Sequence, residues 1–223
     1  MHRLLFVACV VGTSLSGLAA ARAAAPNADF SGLYLGLQTS YGFGAGGDWC
    51  FCTFLPPALD ATGGNGGILV GGEAGYGMRF GAFVVEAETR LSYSNLAFAE
   101  LCAPNLRCDG ELSWIGEAQI SAGFVIDDTL IAATAGLATG DVSARTINAG
   151  GALDDDASLH DGHVFGARIE QGMSGGWRFG LEYRYYDMSG ENSLSTGTAA
   201  PTPVDIDWHA HVAGLTIRYE LSQ

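Results

Sequence analysis

The sequence predicts an all-β fold, an eight-stranded antiparallel up-and-down transmembrane β-barrel, on three observations. Apolar and polar residues alternate with period two over eight separate stretches. The connections between those stretches alternate between very short and long. The stretches are near the ~9–11 residues that a tilted strand needs to cross a bilayer, and short turns at one end with long loops at the other are the pattern of a membrane-spanning barrel.

In chain order the stretches fall at roughly 32–43, 66–80, 82–94, 111–126, 129–140, 162–174, 176–188 and 205–221. The third is representative. Phe83, Val85, Ala87, Thr89, Leu91 and Tyr93 share one parity, and Val84, Glu86, Glu88, Arg90 and Ser92 the other. The second sets Ile68, Val70, Tyr76, Met78 and Phe80 against Glu73, Arg79 and glycines; the seventh sets Trp177, Phe179, Leu181, Tyr183 and Tyr185 against Arg178, Glu182, Arg184 and Tyr186. In the fourth, Leu112, Trp114, Ala118, Ile120 and Phe124 oppose Ser113, Glu117, Gln119, Ser121 and Gly123. The eighth changes phase: Ile206, Trp208, Ala210 and Val212 are apolar on one parity, Leu215, Ile217 and Tyr219 on the other. A one-residue bulge near Ala213-Gly214 is expected to reconcile them. The turns after stretches two, four and six are short, and loops are expected at about 44–65, 95–110, 141–161 and 189–204.

Charge decides which face is enclosed. The polar faces carry Glu73, Glu86, Glu88, Glu117, Glu170 and Glu182, and Arg79, Arg90, Arg168, Arg178, Arg184 and Arg218. Equal numbers of opposite charges are what a closed interior requires, because an unpaired buried charge is costly. The whole chain is acidic, with 24 Asp and Glu against 10 bases, all arginine, for a net charge of −14. The balance is therefore local to the strands, and the surplus acid falls mainly in loops. Glycines on the same faces (Gly36, Gly71, Gly75, Gly77, Gly123, Gly180) leave room for long side chains. A soluble, ligand-filled barrel with a solvated outer face would not need this balance. Aromatic residues cluster near both strand ends, with Phe80, Phe83, Phe124, Trp177, Phe179 and Tyr219 by the short turns and Tyr41, Phe43, Tyr93, Trp114 and Tyr185 by the long loops. They fit girdles at two membrane interfaces.

The N-terminal segment reads as a secretory signal peptide, residues 1–23, leaving 24–223 as one barrel domain. His2 and Arg3 precede an apolar run from Leu4 to Ala20, and Ala21-Arg22-Ala23 offers a small-residue cleavage site. The absence of a basic stripe excludes a nucleic-acid partner. Export makes the remaining cysteines, Cys50, Cys52, Cys102 and Cys108, candidates for disulfides, with the pairing open and no CxxC zinc spacing.

Chemistry has little support. Asp207, His209 and His211 share a strand face, and with His160 and His163 from the third long loop they could hold a metal or haem-like ligand. Four polar residues on a wet rim are the simpler reading. Asp154-Asp155-Asp156 reads as a solvated acidic loop tip, no GxSxG nucleophile motif is present, and the glycine runs near 63–72 precede no helix that could cradle phosphate. No catalytic, metal or cofactor site is assigned.

Several segments together resemble the small Gram-negative outer-membrane β-barrel proteins, the eight-stranded porin-like surface antigens related in fold to opacity proteins. Asp29-Phe30-Ser31-Gly32-Leu33-Tyr34-Leu35-Gly36 is similar to the family's opening strand. Trp114-Ile115-Gly116 through Gly123-Phe124-Val125-Ile126-Asp127 resembles its fourth strand and turn. Leu130 to Ala138 resembles its fifth strand, and Gly180-Leu181-Glu182-Tyr183-Arg184-Tyr185 its seventh. The chain differs in running on from Tyr219 through Glu220-Leu221-Ser222-Gln223 rather than ending on an aromatic residue, and in its loop cysteines. The resemblance implies residence in the outer membrane, with outer-membrane lipid and the barrel-assembly machinery as partners and an extracellular ligand reached through the long loops. An eight-stranded barrel is just wide enough to be filled by side chains. Interlocked Glu and Arg would plug it, giving a non-enzymatic envelope or surface-interaction protein. A narrow channel, a loop-mediated ligand binder and a lipid-modifying enzyme are the alternatives.

Overall fold

The computed structural model describes residues 29–50, 66–103, 106–148, 150–195 and 201–221. Eight strands run β1 (Gly32–Cys50), β2 (Gly66–Phe80), β3 (Phe83–Ala103), β4 (Leu106–Ile126), β5 (Thr129–Asn148), β6 (Gly151–Gly172), β7 (Trp177–Leu194) and β8 (Thr202–Glu220). Each pairs antiparallel with the next, and β8 closes on β1, so no open edge runs the length of the sheet. The expected signal peptide, residues 1–23, lies outside the described residues.

The turns at one end are as tight as the sequence implies. Phe80 pairs directly with Phe83 and Ile126 with Thr129. These two-residue hairpins need left-handed backbone, supplied by Gly81 at φ 66° and Asp127 at φ 55°. A short 3-10 turn, Ser174–Gly176, joins β6 to β7.

The opposite end departs from expectation. Ladder pairing continues far into the segments expected to be loops. β3 and β4 pair up to Ala103 and Leu106, where a connection across 95–110 was expected. β5 and β6 pair up to Asn148 and Gly151 in place of a loop over 141–161. The Asp154-Asp155-Asp156 run thus lies within β6 rather than at a loop tip. β2 stops at Gly66, so above it the described part of β1 pairs only with β8.

The phase change in β8 also has a different cause. Burial alternates without interruption from Val204 to Val212 and on through Thr216, Arg218 and Glu220, and the pairing with β7 shows no shift. Ile206, Trp208, Ala210 and Val212 point inward, whereas Leu215 and Tyr219 point outward. No bulge sits at Ala213-Gly214; the apolar side of the strand moves from the outer wall to the interior. The bulges lie elsewhere. In β1, between Phe43 and Gly46, Gly44 takes φ 59° and the inward parity switches, which turns Trp49 inside. In β4 a shift between Leu112 and Trp114 puts Leu112 inside and leaves Trp114 outside, correcting the shared face expected for them.

The interior therefore has three levels. Phe30, Val84, Val125, Leu130 and Ala132 close the short-turn end. A polar layer follows. Above it a larger apolar core includes Leu69, Leu96, Phe98, Leu112, Ile115, Val142, Met188, Ile206 and Trp208. Phe98 stacks on Trp208 with ring centroids 6.0 Å apart and meets Trp49 at 6.1 Å.

Candidate functional site in the charged layer of the lumen

Period-two geometry sends Glu86, Glu88, Arg90 and Ser92 of β3 to one side, and the register places their neighbours beside them. Glu73 of β2 and Glu117 of β4 flank Arg90 directly, and Arg168 of β6 pairs with Glu182 of β7. Glycine makes the space: a Cβ at Gly36 would stand 2.6 Å from Glu73 Oε1, and one at Gly75 2.4 Å from the Tyr34 ring.

The arginines then reach across the barrel. Arg90 Nη2 donates to Glu73 at 2.6 Å while its Nη1 donates to Glu182 at 2.8 Å. Arg168 meets Glu88 at 2.7 Å and Glu170 at 2.9 Å, and also contacts Glu86. Arg178 donates to Glu86 at 2.7 Å and approaches Glu220 at 3.5 Å. Arg184 bridges Glu117 at 2.7 Å and Glu182 at 2.9 Å. Arg218 pairs with Glu73 and Glu170 and lies 3.2 Å from Glu88. Its guanidinium and that of Arg178 also lie 5.2 Å and 4.4 Å from the centre of the Tyr34 ring. All the charged side chains in these pairs are at most 4% exposed.

The twelve charges singled out by sequence divide unevenly. Eleven form this one network. Arg79 sits near the short turn, where its Nε donates to the Gly81 carbonyl at 2.7 Å. Glu220, not singled out, enters the network. Among the described residues the layer therefore holds five arginines and seven glutamates, not six of each. Neutral donors supplement the arginines: Tyr34 donates to Glu88 at 2.8 Å, Tyr186 to Glu117 at 2.9 Å, and Gln119 to Glu117 at 2.6 Å. Gln119 shares parity with Glu117. Tyr34 sits on the parity opposite its exposed neighbours Leu33 and Leu35, so strand phase held the signal for both.

The histidines separate. His163, His209 and His211 lie on the outer wall, and Tyr183 OH is 2.6 Å from His211 Nδ1. His160 is instead buried inside β6, 2.8 Å from Asn192 Oδ1, and not on a wet rim. It lies beyond the outer aromatic girdle, and burial pulls its imidazole below the ordinary histidine range despite that contact. Among the described residues no three His, Cys, Asp or Glu side chains converge as a metal site requires. Cys108 is fully buried in the upper apolar core. Cys52 and the side chains of Cys50 and Cys102 lie outside the described residues.

A sequence model of the family described as "Outer membrane protein beta-barrel domain" matches residues 11–215. The chain belongs to this family. Its members are Gram-negative outer-membrane barrels, and the cell outer membrane is where this chain resides. No curated protein matches it. Solved structures of the same barrel type include OprG of Pseudomonas aeruginosa, at 8% identity and TM-score 0.47, covering 85% of this chain and 97% of that one. Neisserial surface protein A matches at 14% identity and TM-score 0.38, with 86% and 98% covered. Ail, the attachment invasion locus protein of Yersinia pestis, matches at 10% identity and TM-score 0.36, with 83% and 99% covered.

Proposed function

We propose that this outer-membrane barrel is sealed: a non-conducting envelope protein that carries an extended, water-facing barrel end beyond the membrane for structural or surface-interaction roles. The observation that carries this reading is the Arg–Glu layer. Arginines from β3, β6, β7 and β8 cross the lumen to glutamates on β2, β3, β4, β6 and β7. Packed apolar side chains lie above and below it. An ion path needs water or a run of one sign of charge, and here opposite charges interlock.

The experiment is single-channel recording across a planar bilayer, with the full chain folded and checked by heat-modifiable migration. A silent, correctly inserted barrel is expected. Steady discrete openings overturn the sealed reading in favour of a narrow channel. The same reading holds the cysteines as disulfides that brace the surface-exposed end. Maleimide labelling of the unreduced protein without residues 1–23 is expected to find no free thiol among Cys50, Cys52, Cys102 and Cys108, and labelling of all four removes that brace.

A further inference from the structure

On the outer wall, two cross-strand rows run side by side where the apolar band gives way to water. One reads Ala118–Leu137–His163–Asp187–His209 across β4 to β8. The next, one pleat outward, reads Gly116–Thr139–Asp161–Ser189–Asp207 and continues to Asp48 of β1. Small side chains along them leave a groove of about 910 Å³, within the size range of small-molecule sites. The groove has two unlike ends. At β4 and β5 it starts on Ala118 and Leu137, four residues past the girdle residue Trp114 toward the lipid. At β7 and β8 it ends among Asp187, Asp161 and Asp207, beyond the girdle-level Tyr185 and His211. One end touches acyl chains, and the other faces the polar headgroup zone.

Among the described residues the acidic end holds no arginine or lysine, and the basic groups on its rows are the imidazoles of His163 and His209, which stand opposite Asp187 on β6 and β8. No arginine among the described residues faces either row, and Asp161, Asp187 and Asp207 form no ion pair with another described residue. Asp48 and Asp207 stand directly opposite each other across β1 and β8, a like-charge pairing that destabilises a sheet unless something neutralises it. The carboxylates are strung along the groove and do not converge on a point, so the geometry suits an elongated cationic ligand better than a bare metal ion.

We propose that this groove seats a membrane amphiphile with an amine head, its alkyl chain along Ala118 and Leu137 and its ammonium group between Asp187 and Asp207. The chain end is held by apolar contact and the head by charge complementarity at the edge of the bilayer, where screening by water is incomplete. The site lies on the outer wall and does not depend on whether the lumen is sealed.

The test uses the full chain folded in neutral detergent micelles, with native mass spectrometry counting bound dodecylamine, 1-dodecanol and dodecanoate. Dodecylamine is expected to bind saturably at one equivalent, about tenfold tighter than the other two. The Asp187→Asn/Asp207→Asn double variant, altered only on the exposed wall, is expected to lose that preference. Gly116→Leu, at a position where an added Cβ meets nothing closer than 3.8 Å, is expected to weaken amine and alcohol alike by filling the groove. Equal binding of all three probes, or full amine affinity in the double variant, overturns the proposal. So does dodecyl phosphate binding through added calcium without dodecylamine binding, which assigns the acidic rim to divalent cations. Heat-modifiable migration of each variant establishes that it is folded.

Discussion

The barrel's two halves use one strand pattern with opposite polarity. In the half nearer the short turns, Leu35, Leu91, Ile131, Leu181 and Leu215 face outward and Glu73, Arg90, Arg168, Glu182 and Arg218 face inward. In the far half, Leu96, Val142, Ile206 and Trp208 face inward, and Asp187, Asp205 and Asp207 face outward. The first is built against lipid and the second against water. Along β8 the inversion takes place between Val212 and Leu215 with no break in the pairing to β7. A strand has no preference for which face is apolar; the solvent outside the wall decides it. The membrane half can therefore bury charge inside, provided each charge is partnered, whereas the aqueous half must bury its apolar face, as any soluble barrel does.

The largest expected effect tests the charged half. Arg90→Ala removes the group that ties Glu73 to Glu182 and leaves both carboxylates short of a partner. A loss of about 3–5 kcal/mol is expected, read as a lowered urea midpoint of unfolding in detergent micelles. An unchanged midpoint would mean that Arg90 is hydrated, and that water reaches the layer. The inversion itself is sharpened by two truncations on one strand. Ile206→Ala opens a cavity in the packed upper core and is expected to cost about 2–5 kcal/mol. Leu215→Ala, on the lipid-facing wall, leaves a gap that acyl chains refill and is expected to cost about 1–2 kcal/mol. Equal losses would mean that the two residues face the same medium.

The membrane half was readable from sequence because alternation, aromatic girdles and charged inner faces all point the same way there. Eight strands in order, and eleven of the twelve lumen charges, follow from that agreement. The aqueous half was not readable, because the criterion that apolar faces outward fails once the outside is water. Val142, Ala144 and Thr146 alternate inward in β5, yet the outward residues between them, Ser143 and Arg145, make the segment look like a polar loop. In β8 the correct alternation was visible, but the inversion read as a bulge. Arg79 and Glu220 were hard to place for a related reason: both lie near the short-turn end, where parity alone does not show whether a side chain reaches inward to the network or out to the turn.

The smallest expected effect tests the aqueous half through its one buried imidazole among the described residues. His160 contacts Asn192, whose Nδ2 reaches the carbonyl oxygens of Val142 and Asp156, so the ring helps join β5, β6 and β7. Burial holds its pKa below 6.5, outweighing the Asn192 contact and the nearby Asp161, Asp207 and Asp141, which favour protonation. Below pH 6.5 the unfolded chain therefore binds a proton that the folded one resists. The stability from a neutral His160 is complete above that pH and declines as pH falls through it, by at most about 1.4 kcal/mol per pH unit. His160→Gln removes this one contribution and leaves every other titrating group in place. The difference in urea midpoint between the two proteins is expected to change as pH falls from 7 to 5, with the native protein losing more. A pH-independent difference would mean that His160 is hydrated, and that the upper core is open to water at β6.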